Sequence, residues 1–306
     1  MSPPVIVLAG STATGKTALA VDLALALAAS GRPAEVVNAD SMLVYRGMDV
    51  GTAKPTLAER RGVPHHLIDI LDIDQPASVA VFQGLARRAI DDCRRRGVAP
   101  ILVGGSALYL HAVVDDFDFP PTDPDVRRRL NDELAQIGAA AMHRRLAELD
   151  PEAARGIEAA NTRRVVRALE SVELTGGFRA ELPGWSYALS DVVQIGLAID
   201  RAEMDRRIEQ RVRQMWQAGF VEEVRGLLDR GLRQAPTASR AIGYRQIIDH
   251  LDGLICETEA QESTVVRTRQ FSRKQLAWWR RDPRIRWLPA GCGAEMVLDA
   301  LGAEGR

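Results

Sequence analysis

Short unbroken apolar runs alternate with helix-like stretches through the first third of the chain. "PVIVLAG" is continuously apolar, the pattern of a strand buried on both faces of a parallel sheet. It runs into a glycine-rich turn, and "TALAVDLALALAAS" after Lys16 is dense in strong helix formers until Ser30-Gly31-Arg32-Pro33 stops it. "AEVVNAD" predicts a second strand ending at Asp40, and "HHLIDIL" a third. An amphipathic helix follows in "VAVFQGLARRAIDDCRRRG", then a buried strand in "APILVGG" and a helix in "SALYLHAVV". Strands alternating with helices predict an α/β fold with a doubly wound parallel sheet.

The pattern changes at Asp115. "DDFDFPPTDPDVRRRLNDEL" has the Pro and Asp density of a linker, and the chain then reads as helical and Arg-rich to about Thr175, without strand signals. "VVQIGLAIDR" returns to strand pattern near Val192, and long helices follow over 201–231 and 259–281. The expected organisation is a core in two pieces, 1–114 and 191–306, with an all-helical insertion at 115–190. A length of 306 residues, above the usual single-domain size, suits a core with a second unit.

Composition narrows the function classes. Apolar residues at 46% and charged residues at 26% are those of an ordinary globular chain. The Ala/Leu-rich run after Thr17 is broken by Asp22 and falls short of a membrane span, so a cytoplasmic protein with no membrane association is expected. Cys93, Cys256 and Cys292 lie far apart with no CxxC spacing, which argues against a zinc site or disulfide framework. Net charge is −1, yet 267–287, "RTRQFSRKQLAWWRRDPRIRW", carries eight basic residues against one acidic, interleaved with three tryptophans. That run, with Arg280 and Arg281, is a candidate RNA grip.

"GSTATGKT" matches G-x-x-x-x-G-K-[ST] in full and lies between a predicted strand and a predicted helix. Gly10, Ser11, Thr12, Ala13, Thr14, Gly15, Lys16 and Thr17 thus form a phosphate cradle: backbone N–H groups surround the oxygens, Lys16 adds charge and Thr17 offers a hydroxyl to Mg²⁺. ATP, GTP and other diphosphates present similar oxygens to such a loop. A nucleotide hydrolase also needs an acid at the end of a neighbouring strand, but "APILVGGSALYL" puts Gly104-Gly105-Ser106 there. Asp40 ends a core strand on the ligand-binding edge, as a base, a metal partner or a helix cap. Ser106 is either a helix cap or a substrate contact. His65 and His66 are adjacent, point to opposite faces of a strand and read as packing or surface residues.

These segments resemble the tRNA dimethylallyltransferase (tRNA isopentenyltransferase) family of bacterial type. The resemblance rests on "GSTATGKT", "NADSMLVYRGMDVGTAKP", "PHHLIDI", "LVGGSALYL", "TRRVVRALE", "GFVEEVRGLL", "AIGYRQ" and "RTRQFSRKQLAWWRR", in order over nearly the whole chain. It implies a P-loop NTPase-like fold whose cradle holds the diphosphate of dimethylallyl diphosphate, so the missing acid is not needed. The implied reaction transfers the dimethylallyl group to the exocyclic amine of the adenosine 3′ of the anticodon, with Mg²⁺ assistance and release of pyrophosphate. The resemblance makes Asp40 the general base, Ser106 the hydroxyl near the leaving oxygen and Arg225 a phosphate contact. Its tRNA-touching segments fall on Asp40, Ser41, Met42 and Leu43, on Arg163, Arg164, Val165, Val166 and Arg167, and on Arg240, Gly243, Tyr244 and Arg245. The implied partner is the tRNA anticodon stem-loop, bound by a monomer.

The chain departs from the family pattern in two places. The family loop more often reads GPTASGKT, so Ser11 replaces a rigidifying proline and Thr14 a serine, and Ser106 stands where threonine is usual. The chain also stops soon after the basic helix, without the zinc-finger extension of eukaryotic relatives. Two other classes share the P-loop: a small-molecule kinase, which would turn over ATP, and an RNA-binding NTPase switch, which would hydrolyse nucleotide when RNA binds.

Overall fold

The computed structural model describes residues 2–179 and 184–302; Met1, 180–183 and 303–306, which fall in the three expected segments, lie outside the described residues. The chain divides into two compact units, one formed by 1–115 with 187–306 and the other by 116–186.

The larger unit is built on six parallel strands in the order β3-β2-β4-β1-β5-β6. These are β1 (Val5–Ala9), β2 (Ala34–Asn38), β3 (His65–His66), β4 (Ala99–Gly104), β5 (Val192–Ala198) and β6 (Arg286–Pro289). β1 shows why its sequence is apolar without interruption. Val5, Val7 and Ala9 pack into the core on one face, and Ile6 and Leu8 into the core on the other. Each buried aliphatic side chain is worth about 2 kcal/mol of transfer free energy. Helices α1 (Lys16–Ala29) and α12 (Ala294–Gly302) cover one face, and α3 (Val79–Arg95) and α4 (Ala107–Val114) the other. A single turn, α2 (Leu57–Arg60), precedes β3.

Four departures from the sequence reading have local causes. The third strand is only two residues long, because Leu67 (φ 62°) and Asp69 (φ 56°) leave extended geometry immediately after it. The helix expected over 201–231 is two, α8 (Arg201–Gln217) and α9 (Phe220–Asp229), divided at Gly219, whose φ of 90° suits glycine. The expected C-terminal helix is α11 (Glu257–Trp279), preceded by a further helix, α10 (Tyr244–Leu251), that the pattern did not reveal. β6 and α12 also escaped it. β6 is half-buried and short, and α12 is nine residues long.

The smaller unit is helical: α5 (Pro124–Leu149), bent at Gly138, then α6 (Pro151–Arg155) and α7 (Thr162–Thr175). Leu130, Met142, Leu146, Val165, Val166 and Leu169 form its core. Glu170, fully buried on α7, is neutralised by Arg127 and Arg167 and accepts the Asp123 N–H. Three cationic or N–H partners offset the desolvation of that carboxylate, hold it below the usual range and fix where the first helix begins.

Candidate active site

The phosphate cradle starts where β1 ends. Gly15, in left-handed geometry (φ 87°), occupies the N-cap position of α1, so the first N–H groups of that helix have no intrahelical acceptor and face outward for an anion. Ser11 and Thr14 are buried inside the loop: the Ser11 hydroxyl donates to the Met204 thioether at 3.4 Å and the Thr14 hydroxyl to the Ser11 carbonyl at 2.9 Å. These contacts tie down the loop that lacks the rigidifying proline, and neither side chain is part of the adjoining pocket's lining. The Lys16 ammonium donates to the Ser11 carbonyl at 2.6 Å and to Thr14 Oγ1 at 3.4 Å. Burial pulls the Lys16 pKa down to about 7; the positive Arg211 adds to this and Asp40 opposes it.

Asp40 follows β2. Asn38, itself buried, accepts the Asp40 N–H through Oδ1 at 2.8 Å and donates Nδ2 to the Asp40 and Leu67 carbonyls. Asp40 Oδ1 then accepts the Met42 N–H at 2.8 Å. No helix starts there, since 41–56 is a run of turns, so the helix-cap alternative is removed. β4 lies between β1 and β2 in the sheet, and its Gly104 explains the missing acid: a Cβ there would sit 2.4 Å from the Ala39 carbonyl oxygen. Backbone from β2 occupies the space a carboxylate would need. Ser106 heads α4 without capping it, and its hydroxyl donates to Ser41 Oγ at 3.3 Å.

The loop that carries "YRGMDVGTAKP" is held from two sides. The Glu223 carboxylate gathers the N–H groups of Asp49, Val50 and Gly51 and the Tyr244 hydroxyl. Gly51 is required because a Cβ would fall about 2.1 Å from the Phe220 ring. Lys54, buried, donates to the Tyr45 carbonyl and pairs with Asp49 and Asp69. This scaffold brings Thr52, Ala53 and Pro55 over a pocket also lined by Thr12, Lys16, Thr17, Asp40, Leu43, Gly104, Gly105 and Arg211. Oxygen donors, two cations and unpaired helix N–H groups therefore converge on one cleft.

Arg211 is the residue that sequence reasoning missed. It projects from α8, donates to the Thr52 carbonyl at 3.2 Å, and has its pKa lowered by burial with Asp40 acting in opposition. Arg225 lies on the exposed side of α9, outside the pocket lining. Both arginines stand in amphipathic helical pattern, and nothing in that pattern separates them.

The RNA candidates divide by burial. Val165 and Val166 belong to the core of the helical unit, and Tyr244 is fully buried with its hydroxyl on Glu223. Gly243 is also buried, with no room for a Cβ beside Phe220. The side chains of Val165, Val166 and Tyr244 are closed off by packing, so a contact with RNA at these positions, as at Gly243, would have to come from the backbone or from their neighbours. Ser41, Met42 and Leu43 are half-buried beside Asp40, while Arg163, Arg240 and Arg245 are exposed. Arg245 pairs with Asp249 at 3.0 Å, Arg167 is committed to Glu170 and the Pro120 and Pro121 carbonyls, and Arg164 is half-buried.

The basic run of α11 and the turn after it is partly consumed internally. Arg269 and Arg273 pair with Asp205 and Glu209 of α8, and Arg284 forks onto Asp115 and Asp282. Arg280 and Arg281 are exposed and form no ion pair among the described residues, because Asp282 is already taken by Arg284 and Gln194. Neutralising both should weaken tRNA binding and flatten its salt dependence by roughly 0.7 per lost phosphate contact. Affinities at two salt concentrations check this, and an unchanged slope would remove these arginines from the RNA surface.

Two places bear on metals. The Thr17 hydroxyl and the Asp40 carboxylate open onto the same pocket, a hard oxygen set of the kind Mg²⁺ uses alongside phosphate oxygens and water. Elsewhere, Glu35, His66 and Cys93 have ligand atoms within 4.8 Å of one another. Arg96 forks onto both Glu35 oxygens at 2.7 Å, so a guanidinium stands where a cation would. Burial and Glu35 push the Cys93 thiol up to about 12, leaving it a neutral donor.

Comparison with known proteins agrees with this architecture. The model of the IPP transferase family matches residues 43–282. The tRNA dimethylallyltransferase of Kineococcus radiotolerans is 56% identical over 294 residues, 95% of this chain and 92% of that protein. That of Thermobifida fusca is 56% identical over 286 residues, covering 93% and 89%. Among solved structures, the full-length tRNA isopentenylpyrophosphate transferase of Bacillus halodurans superposes with a TM-score of 0.71 at 37% identity, covering 99% of this chain and 95% of that one. A eukaryotic dimethylallyltransferase acting on tRNA gives a TM-score of 0.76 at 26% identity over 94% of this chain and 74% of that one. From the cradle to the basic helix, the chain belongs to the IPP transferase family.

Proposed function

We propose that the protein is a cytoplasmic, monomeric tRNA dimethylallyltransferase that uses dimethylallyl diphosphate as donor and the adenosine 3′ of the anticodon as acceptor. The observation that carries this is the pocket itself: a phosphate cradle, two cations and one strand-end carboxylate, with the position of a hydrolase acid closed by backbone. A kinase is not favoured, because this chain's relatives are named dimethylallyltransferases and backbone closes the position of the acid that an ATP site would use.

In this mechanism the adenine leaves its stack to reach Asp40. Its exocyclic nitrogen is a weak nucleophile, since its lone pair is delocalised into the ring. As the N–C bond to the donor's first carbon forms, Asp40 takes the amine proton, and the C–O bond to diphosphate breaks. The helix N–H groups, Lys16 and Arg211 stabilise the charge gathering on the leaving oxygens. Ser106, joined to Ser41, sits at the edge of this region. With Asp40 acting as the base, Thr17 is the group that would offer Mg²⁺ a ligand, and the ion when bound would supply further charge neutralisation at the diphosphate. Among the described residues no helix is long and apolar enough to cross a membrane.

The direct test is mass spectrometry of nucleosides from tRNA incubated with protein, Mg²⁺ and dimethylallyl diphosphate. A new adenosine heavier by one dimethylallyl unit is expected. Steady ATP turnover without tRNA, and no such nucleoside, would reject the proposal.

A further inference from the structure

We infer that Gln275 of α11 is a positioning residue for the phosphate cradle. The ladder between β1 and β4 ends at the pair Ala9↔Gly104. Beyond that pair, Gln275 joins the two segments with the two ends of its amide. Oε1 accepts the Thr12 N–H at 3.0 Å, and Nε2 donates to the Gly105 carbonyl at 2.7 Å. A side-chain amide thus adds one more rung to the sheet, between the loop that binds phosphate and the turn that delivers Ser106. The residues it joins are 263 and 170 positions away in sequence.

The surroundings are built for this bridge. Gln275 is 5% exposed, so both of its polar ends are removed from water and depend on these two partners. Gly105 makes the approach possible, since a Cβ there would lie 2.6 Å from Gln275 Nε2. Thr12 in turn lines the pocket with Lys16 and Asp40. Without Gln275, the Thr12 N–H loses its acceptor and the first half of the cradle loses its tie to β4. The loop then samples more conformations than the one that holds diphosphate, and binding must include the cost of ordering it.

The inference rests on the proposed donor only in that the cradle holds a diphosphate. The test uses the full chain with Gln275→Met, close in shape but without either hydrogen bond, with Gly105→Ala, which displaces the amide, and with both together. Binding of inorganic diphosphate is measured without RNA, alongside KM for the donor, kcat and tRNA affinity. Each single change should weaken diphosphate binding and raise donor KM by about 5- to 10-fold, the worth of one or two net hydrogen bonds, with tRNA affinity within about twofold. The double variant should lose no more than either single, because both break the same bridge. Diphosphate affinity within twofold of wild type in Gln275→Met, or losses that multiply in the double variant, would overturn the role of Gln275 alone. If the wild-type protein binds no diphosphate, the donor assignment falls, and this inference with it.

Discussion

Asp40→Asn is expected to slow single-turnover transfer by about 10²- to 10⁴-fold, the usual worth of a general base, with tRNA binding unchanged. Asparagine keeps the side-chain oxygen that accepts the Met42 N–H, so the turn after β2 survives. What it loses is the capacity to take the amine proton. The loss should therefore appear in kcat, with donor KM altered far less. Asp40 also favours the charged form of Lys16, so a modest rise in KM is expected as that ammonium loses its support. A fall of less than about fivefold in the transfer step would reduce Asp40 to a positioning group in its turn.

Lys16→Met should weaken inorganic diphosphate by about 10- to 10²-fold, the range of hydrogen bonds to a charged group. Its distinctive signature is in protons. In the free protein the Lys16 pKa lies near 7, held down by burial and by Arg211. An arriving diphosphate supplies negative charge and raises it. At pH 8, where free Lys16 is mostly neutral, binding should therefore take up close to one proton more in wild type than in Lys16→Met. The sign follows: the contribution of Lys16 to affinity is greatest below about pH 7 and declines as pH rises above it. Calorimetry in two buffers of different ionisation enthalpy measures the difference, and equal proton uptake in the two proteins would refute it. Arg211→Ala should lower diphosphate affinity in the same experiment, whereas Arg225→Ala, on the exposed side of α9, should leave it within about twofold.

The cradle and most of the sheet were legible because their signals are local. A strand with both faces buried reads as a near-continuous apolar run, which marks β1 without interruption and β2, β4 and β5 with few polar breaks, and the spacing of Gly10, Gly15, Lys16 and Thr17 encodes a turn into a helix. Asp40 was legible for the same reason, as the residue at the end of such a strand. β3 was over-read because two left-handed residues end it, and α10 because its eight residues hide between turns. The choice among arginines was not legible. Arg211 and Arg225 occupy similar helical patterns, and only the packing of α8 against the loop at Thr52 turns the first into the pocket.

The sequence by itself determined the strand–loop–helix cradle, the carboxylate that follows β2 and the concentration of basic residues near the C-terminus, because each depends on neighbours within a few positions. The tertiary structure alone decided which groups meet. It spent Arg269, Arg273 and Arg284 on buried or half-buried acids and left Arg280 and Arg281 exposed. It closed the site of a hydrolase acid by pressing Ala39 against Gly104, and it brought Glu223, Gln275 and Arg211 to segments more than 150 positions away. Those pairings are fixed by the order of strands in the sheet and by the packing of helices on its faces, and no local pattern of residue types encodes either.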